Sequence, residues 1–171
     1  MTTKRVGGST IVYSTPPVIV SAATVAGPKE SEGQMAQCFD ELVPDDMFGE
    51  RTPEKAERRF MEDAIKIALG SARVLPEQVN MIFAGDLLNQ IITSSFTAEG
   101  FGIPFVGLYG ACSTMAQSLT MASAMVDGGY ADLALAVTSS HYQTAERQFR
   151  YPIELNIMRK STSQYTVTGA G

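Results

Sequence analysis

Phe105-Val106-Gly107-Leu108-Tyr109-Gly110-Ala111-Cys112-Ser113-Thr114 runs from a short apolar segment through a turn of small residues into a stretch that ends at Gly128-Gly129. Residues 105–108 read as a strand and the small residues as a strand-to-helix turn. The stretch after Cys112 reads as a helix, closed by a glycine pair suited to a left-handed terminus. Leu133-Ala134-Leu135-Ala136-Val137 follows, a continuous apolar run short enough for a strand buried on both faces. Strand, turn, helix and strand at this spacing make a βαβ unit, the building block of a parallel sheet.

The alternation extends upstream. At Thr52-Pro53 a threonine oxygen can cap a helix, and proline at the first helical position gives up only an N–H that has no helical partner. The spacing predicts a helix from Pro53 to about Ser71, with Ala56, Phe60, Ala64, Ile67 and Ala68 inward and Glu54, Arg58, Arg59 and Lys66 in water. Pro76 forbids its continuation. Met81 to Ala84 reads as a buried strand leading into Gly85-Asp86, and a helix is expected over Asn89 to Gly100. The β-branched runs Thr10–Tyr13 and Val18–Ala23 are expected as strands around a turn at Pro16-Pro17. Residues 27–52 are polar and acidic, so a long loop is expected there, with one short helix near Gln34–Phe39. Gln164 to Thr168 is the last candidate strand. The fold class expected is α/β, a mainly parallel sheet covered by helices on both sides.

A chain of 171 residues has the length of one domain, against a prior of roughly 150 residues per domain. With 13 Lys+Arg against 18 Asp+Glu and a net charge of −5, it has no basic footprint with which to neutralise phosphates, so nucleic acid is excluded as a partner. Cys38, Cys112 and His141 are too few and too dispersed for a four-ligand zinc site, and no metal or other cofactor is expected. The start, Met-Thr-Thr-Lys-Arg-Val-Gly-Gly, lacks the apolar centre of a secretory signal, which points to a reducing cytoplasmic compartment. Met115 to Val126 is interrupted by Gln117, Ser118, Thr120 and Ser123 and falls short of the ~20 apolar residues of a bilayer span. Peripheral attachment to a membrane is left open.

Chemistry concentrates at the expected carboxyl end of the sheet, where open parallel sheets place their ligands. Cys112, at a helix start, faces unpaired N–H groups and the positive end of the helix dipole, which favour a thiolate or a bound anion. It serves equally as a small residue in a tight turn. His141 follows Ser139-Ser140 beyond another strand end, so the two can share a crevice. Asp86, beyond a third, can orient His141 or accept from a ligand, although capping is the commoner task of an aspartate there. Arg147 and Arg150 carry planar guanidinium forks that pair with carboxylates; Arg150 reads first as a solvated charge, Arg147 as either. Lys29 is a weaker cationic candidate, and Cys38 reads as structural.

Five motifs carry a resemblance: Ala26-Gly27-Pro28-Lys29-Glu30, Ala84-Gly85-Asp86-Leu87-Leu88-Asn89-Gln90, Gly110-Ala111-Cys112-Ser113-Thr114, Ser139-Ser140-His141, and Thr144-Ala145-Glu146-Arg147-Gln148-Phe149-Arg150-Tyr151-Pro152. With these, from about Gly8 to Gly171, the chain resembles the stage V sporulation protein AD (SpoVAD) family of spore-forming Firmicutes. The Cys112 turn alone resembles the wider thiolase and ketoacyl-synthase superfamily. The resemblance implies a thiolase-like fold made of two similar α/β halves, usually dimeric. This chain matches the N-terminal half, and a second half would follow Gly171. Helices and sheet left bare by its absence would drive self-association.

The resemblance further implies a non-catalytic protein that binds dipicolinic acid (pyridine-2,6-dicarboxylic acid) and supports its uptake into the forespore. Its partners would be membrane-embedded proteins of the same sporulation complex, and its place the cytoplasm or forespore, with peripheral contact to the inner spore membrane left open. In that reading Cys112 is a small anion-facing group, His141 and Arg147 donate to a carboxylate, Asp86 orients them, and Lys29 adds charge. Two alternatives stay open. One is acyl transfer with Cys112 as acceptor, against which stands Met115, bulky where the superfamily's turn usually has a glycine. The general acid–base groups of condensing enzymes would also come largely from the second half. The other is a purely structural subunit of a spore membrane complex.

Overall fold

The computed structural model of the protein describes residues 4–149 and 167–171, the stretch 146–149 through its backbone alone. In chain order the elements are β1 (Arg5–Val6), β2 (Thr10–Ile11), β3 (Val25–Ala26), α1 (Pro28–Ser31), β4 (Glu41–Leu42), α2 (Pro53–Ala72), β5 (Met81–Gly85), α3 (Ile92–Phe101), β6 (Phe105–Gly107), α4 (Thr114–Asp127), β7 (Ala134–Ser140), α5 (Tyr142–Phe149) and β8 (Gly169–Ala170). The two first strands form a separate antiparallel hairpin, and the others form a sheet of order β4-β3-β8-β7-β5-β6. Strands β5, β6 and β7 are parallel, as are β3 and β4, and β8 alone runs against its neighbours β3 and β7. The sheet is thus mainly parallel, as the βαβ pattern predicts.

Helix α2 forms for the expected reasons. The Thr52 side chain accepts from the Lys55 amide, Pro53 opens the helix, and Arg73 in a left-handed conformation (φ 55°) closes it. Its buried stripe includes Ala56, Phe60, Ala64 and Ala68 as expected, adds Met61, Ile65 and Leu69, and leaves Ile67 half-buried. Met61, Ile65 and Leu69 pack with Ala98 of α3 on Ile82, Ala84 and Val137 of the sheet. Burying a side chain of the size of Ile65 or Phe60 stabilises the fold by about 1.5–3 kcal/mol. Because side chains alternate along a strand, Phe83 and Gly85 face the opposite way. On that side α4 packs on β5 and β7, and Phe83 is fully buried.

Several expectations are corrected. Of Thr10–Tyr13 only Thr10–Ile11 is strand, in an exposed hairpin, and Val18–Ala23 is not strand at all. Val18, Ile19 and Val20 are exposed; β-branched residues make a strand only where a neighbour pairs with them, and pairing here begins at Val25. The helix expected near Gln34–Phe39 is a single 3-10 turn, Ala36–Cys38. The long loop also holds α1 and β4. Helix α3 starts at Ile92 rather than Asn89, because Gln90 (φ 63°) and Ile91 (φ 47°) are left-handed and form a 3-10 turn before it. Residues 164–166 of the last expected strand lie outside the described residues, and the strand found is Gly169–Ala170.

Candidate functional site

The turn from β6 to α4 is a tight elbow. Ala111 is left-handed (φ 47°), and Cys112 occupies the middle of a 3-10 turn, Ala111–Ser113, that runs directly into α4. For a residue with a Cβ this backbone is strained by roughly 1–3 kcal/mol, and the surroundings hold it. Thr114 Oγ1 donates to Ala111 O at 2.8 Å and accepts from Gly110 N at 3.2 Å, while Ser113 Oγ donates to Gly110 O at 2.7 Å. Leu108 N bonds Ala84 O at 2.8 Å, drawing the elbow against β5. A Cβ on Gly85 would stand 2.0 Å from Leu108 O and 2.6 Å from Thr114 Cγ2, so only glycine permits this approach. The result is an exposed Cys112 thiol on a rigid support.

That thiol borders a cavity of about 400 Å³ at the carboxyl ends of β3, β5 and β7, lined among others by Ala26, Asp86, Cys112, Met115 and Ser139. Cys112 and Asp86 are therefore brought together, as expected. Asp86 is fully buried and its oxygens are committed: Oδ1 accepts from Leu88 N at 2.8 Å, and Oδ2 from Ser94 N and Ser94 Oγ, both at 2.7 Å. Burial raises its pKa, and the bonds from Ser94 and Leu88 oppose that rise. It caps α3 from the end of β5, satisfying an amide of the first turn that has no helical partner.

His141 is not among the residues lining the cavity. It is fully buried, with Nε2 2.9 Å from Asp46 O and Nδ1 accepting from Gln143 N at 3.2 Å. With Nδ1 accepting the Gln143 amide proton, Nε2–H is the donor to Asp46 O. Its ring stacks on Tyr142 at 5.3 Å. His141 thus fastens the loop around Asp46 to the start of α5. Lys29 pairs with Glu32 at 3.1 Å, with its side chain 62% exposed, away from the cavity lining. Arg147 falls in α5 with its side chain outside the described residues, as does all of Arg150.

Glu57, on α2, is not among the site residues that the sequence pattern singles out. It is fully buried, with Ser139 Oγ donating to its Oε1 at 3.0 Å and Thr144 Oγ1 2.7 Å from its Oε2. Burial pushes its pKa up to about 8; the negative charges of Asp86 and Glu54 add to the rise, and the Thr144 and Ser139 hydroxyls oppose it. A signal existed: Glu57 is three and four positions before Phe60 and Met61, on the inward stripe.

Among the described residues no group of three or more His, Cys, Asp or Glu could hold a metal ion, and no helix is long and apolar enough to cross a membrane.

Residues 7–171 match the family described as stage V sporulation protein AD (SpoVAD). The stage V sporulation protein AD of Bacillus subtilis (strain 168) is 44% identical over 168 residues, covering 98% of this chain and 50% of the relative. The chain therefore spans about half the length of the curated relative it matches. Two solved structures share the fold at low identity. A variant of OleA from Xanthomonas campestris is 15% identical with a TM-score of 0.56, over 79% of this chain and 46% of that one. The priming β-ketosynthase of a polyketide biosynthetic pathway is 15% identical with a TM-score of 0.53, over 75% of this chain and 44% of that one. The fold is thus thiolase-like, and sequence identity carries the assignment further: the chain belongs to the stage V sporulation protein AD family.

Proposed function

We propose that this chain serves sporulation by binding dipicolinic acid in the cavity beside Cys112 and supporting its uptake into the forespore, without catalysis. The cavity carries the reading. It is an open cleft bordered by the elbow before α4 and by the hydroxyl-bearing end of β7, Thr138 to Ser140. A planar dianion suits a site bordered by a helix start, whose N–H groups and dipole favour negative charge. Asp86 lines the cavity while its oxygens fix α3, and His141 acts behind the wall by fixing the loop around Asp46. The protein would work beside membrane-embedded proteins of the same complex. Calorimetric titration with dipicolinate tests the reading: Cys112→Phe, which fills the cavity mouth, abolishes the heat, and Cys38→Ala leaves it unchanged. Absence of heat from the unsubstituted chain would defeat it.

A second reading draws on one observation, the exposed thiol presented by the left-handed Ala111. That arrangement suits an acyl acceptor. Incubation with acetyl-CoA followed by intact-mass measurement decides: an acetyl adduct abolished by Cys112→Ala supports acyl transfer, and an unmodified mass supports binding alone.

A further inference from the structure

Glu57 is a carboxyl group of α2 with no exposed surface, and its hydrogen bonds count protons. Thr144 Oγ1 lies 2.7 Å from Glu57 Oε2 and also 2.9 Å from the carbonyl oxygen of His141. A threonine hydroxyl has one proton, whereas two acceptors face it if Glu57 is a carboxylate. The His141 carbonyl also accepts from Ala145 N at 2.9 Å, so it keeps a donor in either state, and a carboxylic acid is the form that lets Thr144 bond both neighbours at once. Its Oε2–H donates to Thr144 Oγ1, Thr144 donates to His141 O, and Ser139 donates to Oε1.

The groups around Glu57 favour that neutral form. Asp86, beyond β5, and Glu54, on α2 itself, both raise its pKa by their charge. From the turn after β7 comes His141, both of whose ring nitrogens are engaged, with Asp46 O and Gln143 N. β3 and β8 contribute only Val25, Ala26, Gly169 and Ala170, and the one charged residue of α3, Glu99, is exposed. The charged side chains of α5, Glu146 and Arg147, lie outside the described residues.

We propose that Glu57 is a positioning residue for the cavity: as a neutral acid it locks the end of β7 and the first turn of α5 onto α2, and its ionisation releases the lock and weakens ligand binding. Ser139 links the two, since it both bonds Glu57 and lines the cavity. The proton lost on ionisation goes to solvent. The charge left behind sits on a group with no exposed surface and has no cation opposite it among the described residues, and relieving that desolvation by admitting water is what opens the contact between α2 and the end of β7. The ligand arm of this inference rests on the dipicolinate reading above; the lock does not.

Glu57→Gln separates the possibilities, because the amide reproduces the neutral acid, with NH2 toward Thr144 and oxygen toward Ser139. Dipicolinate titrations at pH 7 and pH 9.5 are expected to show the unsubstituted chain losing about fivefold or more in affinity. The variant should lose markedly less. Amide exchange over residues 139–145, taken as the ratio of chain to variant at each pH, should rise over the same range. Equal affinity changes in both proteins, or a flat exchange ratio, would overturn the proposal. If dipicolinate binds neither protein at any pH, the ligand assignment falls, and the exchange ratio alone decides on the lock.

Discussion

Gly85→Ala is expected to be among the most damaging single-methyl additions in this molecule. Its Cβ would stand 2.0 Å from the Leu108 carbonyl oxygen, 3.1 Å from the Leu108 carbonyl carbon and 2.6 Å from Thr114 Cγ2. Two of these neighbours are backbone, so no rotamer change relieves the clash. Either β5 moves away from the elbow, breaking the bond from Leu108 N to Ala84 O, or the elbow itself shifts. Overpacking of a well-packed interior costs about 1–3 kcal/mol and occasionally more, and a backbone clash this close belongs at the upper end. For a chain of this size each kcal/mol moves the melting midpoint by about 2–4 °C, so a fall of about 6–12 °C is expected by calorimetry or circular dichroism. Gly70→Ala is the control. Gly70 lies in the last turn of α2 with nothing within 4 Å of a would-be Cβ, so the same added methyl should stabilise by up to about 1 kcal/mol through helix propensity. Because the elbow carries Cys112, iodoacetamide labelling of that thiol should also change rate in Gly85→Ala and not in Gly70→Ala. Equal melting of Gly85→Ala and the unsubstituted chain would refute the contact geometry on which the site is built.

Glu57 binds its proton more tightly folded than unfolded, with a pKa of about 8 against an ordinary 4.5. Stability it contributes is therefore greatest below pH 4.5 and declines as pH rises from there to about 8, by a few kcal/mol at about 1.4 kcal/mol per pKa unit. Urea midpoints between pH 6 and 9 should fall for the chain and stay nearly level for Glu57→Gln; parallel slopes would reject this. Asp86→Ala removes the acceptor from three buried contacts and should cost on the order of 3 kcal/mol. Asp86→Asn, which keeps one carbonyl oxygen, should lose less in the same unfolding assay. Strand β6 lies at the sheet edge, and Val106, with Phe96 of α3, is exposed. Light scattering should accordingly show an assembly larger than a monomer, reduced by Val106→Lys, and a monomer at all concentrations would count against it.

What the sequence disclosed depended on the range of the forces involved. Helix α2 was legible because its cap, its proline and its apolar spacing are local. Strands β5 and β7 were legible because a run buried on both faces has few alternatives. The two-residue strands β3, β4 and β8 were not, because partners distant in the chain define them, and Val18 to Val20 show the converse, strand-forming residues that lack a partner. The site divides the same way. The elbow at Cys112 and the cap at Asp86 follow from neighbouring residues. The fastening of His141 to Asp46 O joins residues 95 positions apart, and neither pattern nor propensity carries that information. Glu57 was visible as an acid on an apolar stripe, but its Ser139 and Thr144 partners emerge only when α2 meets β7.

Strand β8 gives the folding of this sheet a definite order. Residues 169–170 pair on one side with β3 and on the other with β7. A Cβ on Gly169 would come within 2.6 Å of Val25 O, so the fit tolerates no side chain. On a ribosome, β5, β6 and β7 can assemble with their helices as successive local crossovers. β3 and β4, although made first, have no place in the sheet until β8 arrives. Such a late closure between remote segments is slow, and it leaves the edge of β7 open in the interval. An unpaired edge of that kind is what chaperones cover and what aggregates exploit. For the nascent chain, then, the hazard lies in waiting for two small residues.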